Sequence, residues 1–174
     1  RLPFALLKAF PPDDGIPMRA ENAAGVRLCF VTDSPRLELD VLPVRQPRKF
    51  DLTANGQLMR TVTLEPGESV VAFDDDLATD GAALEIWLPN THPVGLRELR
   101  VVEGTRLERA ADDRPKWVTY GSSISQCGAA HSPARTWPAI VARDRGLNLT
   151  CLGYSGQCHI DPMVGRVIRD LDAD

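Results

Sequence analysis

The chain changes rhythm once, at "ERAADDRPKW" (108–117), and that change constrains its fold more than any other feature. Before it, short alternating runs are separated by Pro, Gly and Asp clusters. "GVRLCFVTDS" puts Val26, Leu28 and Phe30 on one face, and "PRLELDVLP" does the same with Leu37, Leu39 and Val41. "KFDLTANGQLMRTVTL" holds two such runs joined through Asn55-Gly56, the strongest short hairpin signal. "ESVVAFD", "AALEIWLP" and "GLRELRVVEG" follow. Short strands at spacings of roughly ten residues predict an antiparallel β-sandwich of jelly-roll type over residues 1–112.

After the seam the order becomes strand, loop, helix. "KWVTY" and "LNLTCLG" read as short strands of the buried type. "TWPAIVARDRG" predicts a helix with Thr136 as N-cap, Pro138 in its first turn and Gly146 at its end. "DPMVGRVIRDL" predicts a second helix, capped by Asp161, with Pro162 first and Met163, Val164, Val167, Ile168 and Leu171 on one face. This β-loop-α-β-loop-α order signals a parallel sheet over residues 113–174. Two strands and two helices are not a complete domain of that kind, so the second unit is expected to continue past "RDLDAD" and to expose apolar faces as it stands.

Composition narrows the function classes. With 43% hydrophobic and 25% charged residues and a formal charge of −4 without a basic cluster, nothing favours nucleic acid or an anionic membrane. No apolar run reaches membrane-spanning length, and "RLPFALLKAF" lacks the flanks of a secretory leader. Four scattered cysteines, Cys29, Cys127, Cys151 and Cys158, predict reduced thiols and a cytoplasmic setting. None stands in C-x-x-C spacing, so neither a zinc site nor any other cofactor is expected. The acidic run "FDDDLATDG" places Asp76 and Asp80 well for a calcium loop but puts Ala78 and Trp87 where ligands are required, which predicts a solvated turn.

Both "GSSIS" (121–125) and "GYSGQ" (153–157) fall after predicted parallel strands, where open α/β sheets place their sites. A serine becomes a nucleophile only beside a base and oxyanion donors. "GYSGQ" starts like the elbow G-x-S-x-G around Ser155, but its fifth residue is Gln157 and its strand comes too early in the unit. Turn-forming Ser and Gly are the plain alternative for both loops.

"VTYGSSIS", followed some thirty residues later by "LTCLGYSGQCHIDP", resembles the first two blocks of the SGNH hydrolases, the GDSL esterase and lipase family. Gly121, Ser122, Ser123, Ile124 and Ser125 take the places of that family's first block, with Ser122 where Asp is usual. The resemblance makes Ser123 the nucleophile. It makes the N–H groups of Ser123 and Gly156 oxyanion donors, and it leaves Ser122, Gln157 and His159 as possible substrate contacts. It implies a flavodoxin-like α/β hydrolase domain, a small-molecule or glycan ester as substrate, and hydrolysis or acyl transfer through an acyl-enzyme. A β-sandwich ahead of such a domain is similar to a bacterial subgroup of these enzymes.

The family's Gly-x-Asn and Asp-x-x-His blocks do not fall where expected. The one Gly-x-Asn, Gly146-Leu147-Asn148, leads into the second strand, and no histidine follows an Asp by three residues. The base and its orienting acid are therefore expected beyond Asp174, with this chain inactive alone. His159, His131 and His92 stand as substitute bases in falling order. The competing reading is a carbohydrate-binding sandwich joined to an inactive or truncated hydrolase fragment; Trp87, the one Trp before the seam, is its candidate sugar platform and equally a candidate core residue.

Overall fold

The computed structural model describes residues 2–11, 13–74, 77, 81–171 and 173. Most of the acidic run, including Asp76 and Asp80 of the calcium reading, lies outside the described residues.

Eight strands lie within residues 1–112: β1 (Arg27–Thr32), β2 (Leu37–Val41), β3 (Arg48–Ala54), β4 (Gln57–Leu64), β5 (Val70–Phe73), β6 (Leu84–Trp87), β7 (Leu96–Val101) and β8 (Leu107–Arg109). They form a five-stranded antiparallel sheet, β4-β3-β6-β1-β8, and a three-stranded one, β5-β2-β7. Strand β8, in "RLERA", is exposed throughout and lies outside the alternating runs of the sequence. Strand period explains how the sheets meet. Leu37, Leu39 and Val41 of β2 point inward and join Phe30, Phe50, Leu52, Leu64, Val71, Phe73, Leu84 and Ile86 in one buried cluster drawn from both sheets. The alternate β2 residues, Glu38 and Asp40, face outward and pair with Arg100 of β7. The Asn55-Gly56 turn joins β3 to β4, with φ of 46° and 77°. Two positive φ values match the right-handed strand twist, and glycine bears the second without cost.

Beyond the seam, β9 (Lys116–Gly121) and β10 (Asn148–Gly153) pair in parallel, from Lys116 opposite Asn148 to Gly121 opposite Gly153. Three helices follow these strands: α2 (Ser123–Gln126), α3 (Trp137–Arg145) and α4 (Pro162–Asp170). To number helices in chain order, α1 (Ile16–Ala20) lies near the N-terminus, after a 3-10 segment at Phe4–Ala9. The two faces of β10 are both covered, as parallel strands require. Leu149 and Cys151 pack with Ala139 and Ala142 of α3, whereas Leu152 packs with Val164 and Val167 of α4.

The helix signals held in part. Thr136 Oγ1 accepts from the Ala139 N–H at 3.4 Å, and Gly146 ends α3 in the left-handed region. Asp161 sits at the N-cap of α4, but its side chain makes no capping bond. It accepts instead from the Tyr120 hydroxyl at 3.5 Å, so a tertiary contact displaces the local one. The N-terminal segment also goes elsewhere than the sheets. Phe10 and Ile16, with Leu2 and Leu6 beside them, pack into the cluster of Leu152, Tyr154, Val164 and Val167.

The two parts are joined by buried charge. Arg27, whose side chain is 7% exposed, pairs with Glu85 at 3.1 Å and Asp112 at 3.5 Å. It also donates to Leu149 O at 3.0 Å and Asn148 Oδ1 at 2.8 Å. Arg114 binds the same Glu85 and Asp112. A half-exposed single ion pair contributes little, but removing one member of a buried set leaves uncompensated charge.

Candidate functional site

The carboxyl ends of β9 and β10 carry the two loops singled out by sequence. The chain leaves β9 at Gly121, turns at Ser122 and enters α2 at Ser123. Ser123 is exposed at this strand-to-helix corner, and Ile124 beside it is 81% exposed. Gly153, the last residue of β10, lies directly under α2. A Cβ at Gly153 would stand 2.3 Å from the Gln126 nitrogen and 2.5 Å from the Ser125 carbonyl carbon. Only glycine lets the helix backbone sit this low on the strand end.

Three successive amides of the second loop then donate back to the first. Tyr154 N–H bonds Gly121 O at 2.8 Å, Ser155 N–H bonds Gln126 Oε1 at 2.9 Å, and Gly156 N–H bonds Ser122 Oγ at 2.9 Å. A turn closed by Gln157 N–H on Tyr154 O at 2.9 Å, with Gly156 at φ 74°, holds the last two amides side by side. The Gly156 N–H, assigned by resemblance to the oxyanion, therefore rests on the hydroxyl of Ser122. A serine hydroxyl is a rotatable neutral acceptor, and an oxyanion is a far stronger one.

The remaining predicted residues scatter. Gln157 turns its side chain onto Gly15, where a Cβ would meet Gln157 Cδ at 2.5 Å. His159 is exposed, His131 is exposed and offers its carbonyl to Lys49 at 2.9 Å, and His92 bonds Thr91 Oγ1 at 2.9 Å. Burial, with Arg48 nearby, pushes the His92 imidazole below its ordinary range. Among the described residues, no hydrogen bond joins Ser123 to a histidine. Ser155 engages Gln126 through its backbone N–H, and among the described residues no hydrogen bond joins its hydroxyl to a histidine.

Two residues at the site carried no sequence signal. Gln126 and Asn90 are both buried, at 5% and 6% exposure. Gln126 Nε2 donates to Asn90 O at 3.2 Å, and Asn90 Nδ2 donates to Gln126 O at 3.2 Å and to Cys127 O. Around them sit further fixed groups. Trp137 Nε1 donates to Ile124 O at 2.9 Å, and its ring meets Trp117 edge-on at 6.2 Å. The Tyr120 hydroxyl accepts from Ile160 N–H at 3.1 Å, and burial followed by the Cys158 thiol pushes its ionisation above the ordinary phenol range.

Trp87 is not a sugar platform. It is 6% exposed, lies under the Arg27 guanidinium at 5.0 Å, and donates Nε1 to Glu85 at 3.1 Å. A cleft of about 730 Å³ runs beside Arg27, Asp112, Lys116 and Asn148, at the start of β9 and β10 and away from Ser123. All four cysteines are free, and among the described residues no helix is long and apolar enough to cross a membrane.

Residues 115–174 match the family model described as GDSL-like lipase/acylhydrolase. Among solved structures, the salicylyl-acyltransferase SsfX3 from a tetracycline biosynthetic pathway is 39% identical, with a TM-score of 0.81 over 90% of this chain and 48% of that one. A Bacteroides ovatus protein described as a GDSL-like lipase is 25% identical, with a TM-score of 0.76 over 98% of this chain and 54% of that one. A family two carbohydrate esterase from Clostridium thermocellum, at 17% identity, shares the fold with a TM-score of 0.56 over 75% of this chain and 44% of that one. No curated protein sequence matches. The chain spans about half the length of these first two solved structures.

Proposed function

We propose, from the match of residues 115–174 to the GDSL-like lipase/acylhydrolase family model, that the protein hydrolyses a carboxylic ester, or transfers its acyl group, through an acyl-enzyme on Ser123. One observation carries the reading. Ser123 stands exposed at a strand-to-helix corner, and the amides of the neighbouring loop converge on that corner. Ser123 Oγ attacks the ester carbonyl carbon, forming a new C–O bond as its proton passes to a base. The oxyanion takes the Ser123 N–H and displaces the Ser122 hydroxyl from the Gly156 N–H. Collapse breaks the ester C–O bond, and the proton goes to the departing alcohol. Water or a second alcohol then attacks the acyl-enzyme and regenerates Ser123.

We assign the histidine base and its carboxylate to the part of the hydrolase domain outside these residues, since the structures matched are about twice as long. The substrate class is a small-molecule or glycan ester. We read the two antiparallel sheets, with their shared core, as a β-sandwich domain over residues 1–112, and residues 113–174 as the opening of a flavodoxin-like parallel sheet. The buried Trp87 leaves the carbohydrate-module reading without its platform.

The test is fluorophosphonate labelling of the full-length gene product with peptide mapping, beside ester turnover by Ser123→Ala. The expected result is a label on Ser123 and no turnover by the variant. Full turnover by Ser123→Ala would sink the assignment.

A further inference from the structure

Resting on that reading, we infer that Gln126, held by Asn90, is a positioning residue for the Gly156 oxyanion amide, so the sheet-bearing half of the chain shapes the catalytic loops. Gln126 is the last residue of α2, the helix that starts at Ser123. Its side chain runs back beneath the second loop. Oε1 accepts from Ser155 N–H at 2.9 Å, and that peptide precedes the one carrying the Gly156 N–H. Nε2 donates to Asn90 O at 3.2 Å. Asn90 follows β6, a central strand of the five-stranded sheet, and returns two bonds to the carbonyls of Gln126 and Cys127.

The chemistry of this arrangement is specific. A buried amide needs both its donor and acceptor sides satisfied, and here each has a partner. Cys127 ends α2 in the left-handed region at φ 58°, so two terminal carbonyls of α2 turn toward Asn90 rather than toward further helix. The clamp fixes the end of α2 opposite Ser123, and through Ser155 it fixes the plane of the turn that presents Gly156. An oxyanion donor acts only when aimed before the charge develops. An apolar side chain of the same length at 126 would fill the volume. It would leave Ser155 N–H and Asn90 O unpartnered and the turn free to tilt.

The experiment uses the full-length protein with Gln126→Met, Gln126→Glu and Ser123→Ala. Gln126→Met is expected to lower kcat for p-nitrophenyl acetate by about 10- to 100-fold, short of the loss from deleting an oxyanion donor outright. KM should stay within about threefold of wild type. Affinity for phenylboronic acid, which forms a tetrahedral adduct on the serine, should fall in proportion to kcat/KM. Amide exchange over residues 153–158 should quicken at least about tenfold. Gln126→Glu keeps an acceptor for Ser155 N–H and, once protonated, a donor for Asn90 O, so its activity relative to wild type at the same pH should recover as pH is lowered. Unchanged exchange, or faster exchange with unchanged kcat, overturns the inference while Ser123 remains essential. Turnover that survives Ser123→Ala overturns the functional reading and this inference with it.

Discussion

Gly153→Ala tests the link between packing and chemistry most directly. A Cβ there meets the Gln126 nitrogen at 2.3 Å, the Ser125 carbonyl carbon at 2.5 Å and the Gln126 Cα at 2.7 Å. All three atoms are backbone, so no rotamer change relieves the contact. Ordinary carbon contacts begin near 3.5 Å, so α2 must rise by roughly 1 Å. Ser123 opens that four-residue helix and moves with it. A displacement of about 1 Å at a reacting group costs on the order of 100-fold in rate. The overpacking itself destabilises by about 1–3 kcal/mol, which a folded domain can survive. The assay is kcat/KM on an aryl ester in the full-length protein, with urea unfolding followed in parallel. Gly128→Ala serves as control, because its Cβ would meet only the Thr91 methyl at 3.6 Å, an ordinary contact. A folded Gly153→Ala variant with activity within about threefold of wild type would refute the reasoning, since it would show that the nucleophile corner does not depend on this close approach.

Other perturbations address the frame. Glu85 receives Arg27, Arg114, Trp87 Nε1 and Thr53 Oγ1, so Glu85→Ala should cost about 3–5 kcal/mol in urea unfolding, and a loss below about 1 kcal/mol would contradict the buried network. Gly165 lies inside α4 with nothing within 4 Å of its missing Cβ, so Gly165→Ala should stabilise by about 0.5–1 kcal/mol by the same measurement. Burial raises the thiol ionisation of Cys29 and Cys127 above the ordinary value. The folded state thus holds these protons longer than the unfolded chain. The stability from this linkage is complete below the unfolded thiol pKa and is lost as pH rises through the folded value. Unfolding free energy should therefore decline on the alkaline side, and replacing both cysteines by Ala should flatten that decline.

What the sequence made legible was what short-range chemistry decides. The Asn55-Gly56 turn, the alternation of β2 and the apolar stripe of α4 each depend on a few neighbouring residues, and each formed as expected. Three-dimensional choices were not legible. Leu2, Leu6 and Phe10 stand four apart, a helical stripe, yet nothing local says that this stripe crosses to α4 and Tyr154. Asp161 has the residue type and place of a cap, and only the position of Tyr120 redirects it. Ser123 and Gly156 came from a resemblance in two short blocks. The state of the Gly156 amide, bonded to Ser122, required the fold.

The links between the two halves differ in chemistry, and the difference bears on how the site works. At the start of β9 and β10 the link is ionic: Arg27 and Arg114 share Glu85 and Asp112. At their carboxyl ends it is neutral: Asn90 and Gln126 exchange amide bonds within reach of the nucleophile corner. A fixed charge near an oxyanion would add its own field to the reaction, whereas an amide pair orients the loop and leaves the developing charge to the aimed N–H groups. Asp51, fully buried on β3, adds a third tie by accepting the Ala134 N–H at 2.7 Å, just before α3. With ties before α3, after α2 and along β10, the sheets cannot shift without moving the catalytic corner. On the proposed reading, residues 1–112 therefore act as a wall of the site and not as a module hung beside it.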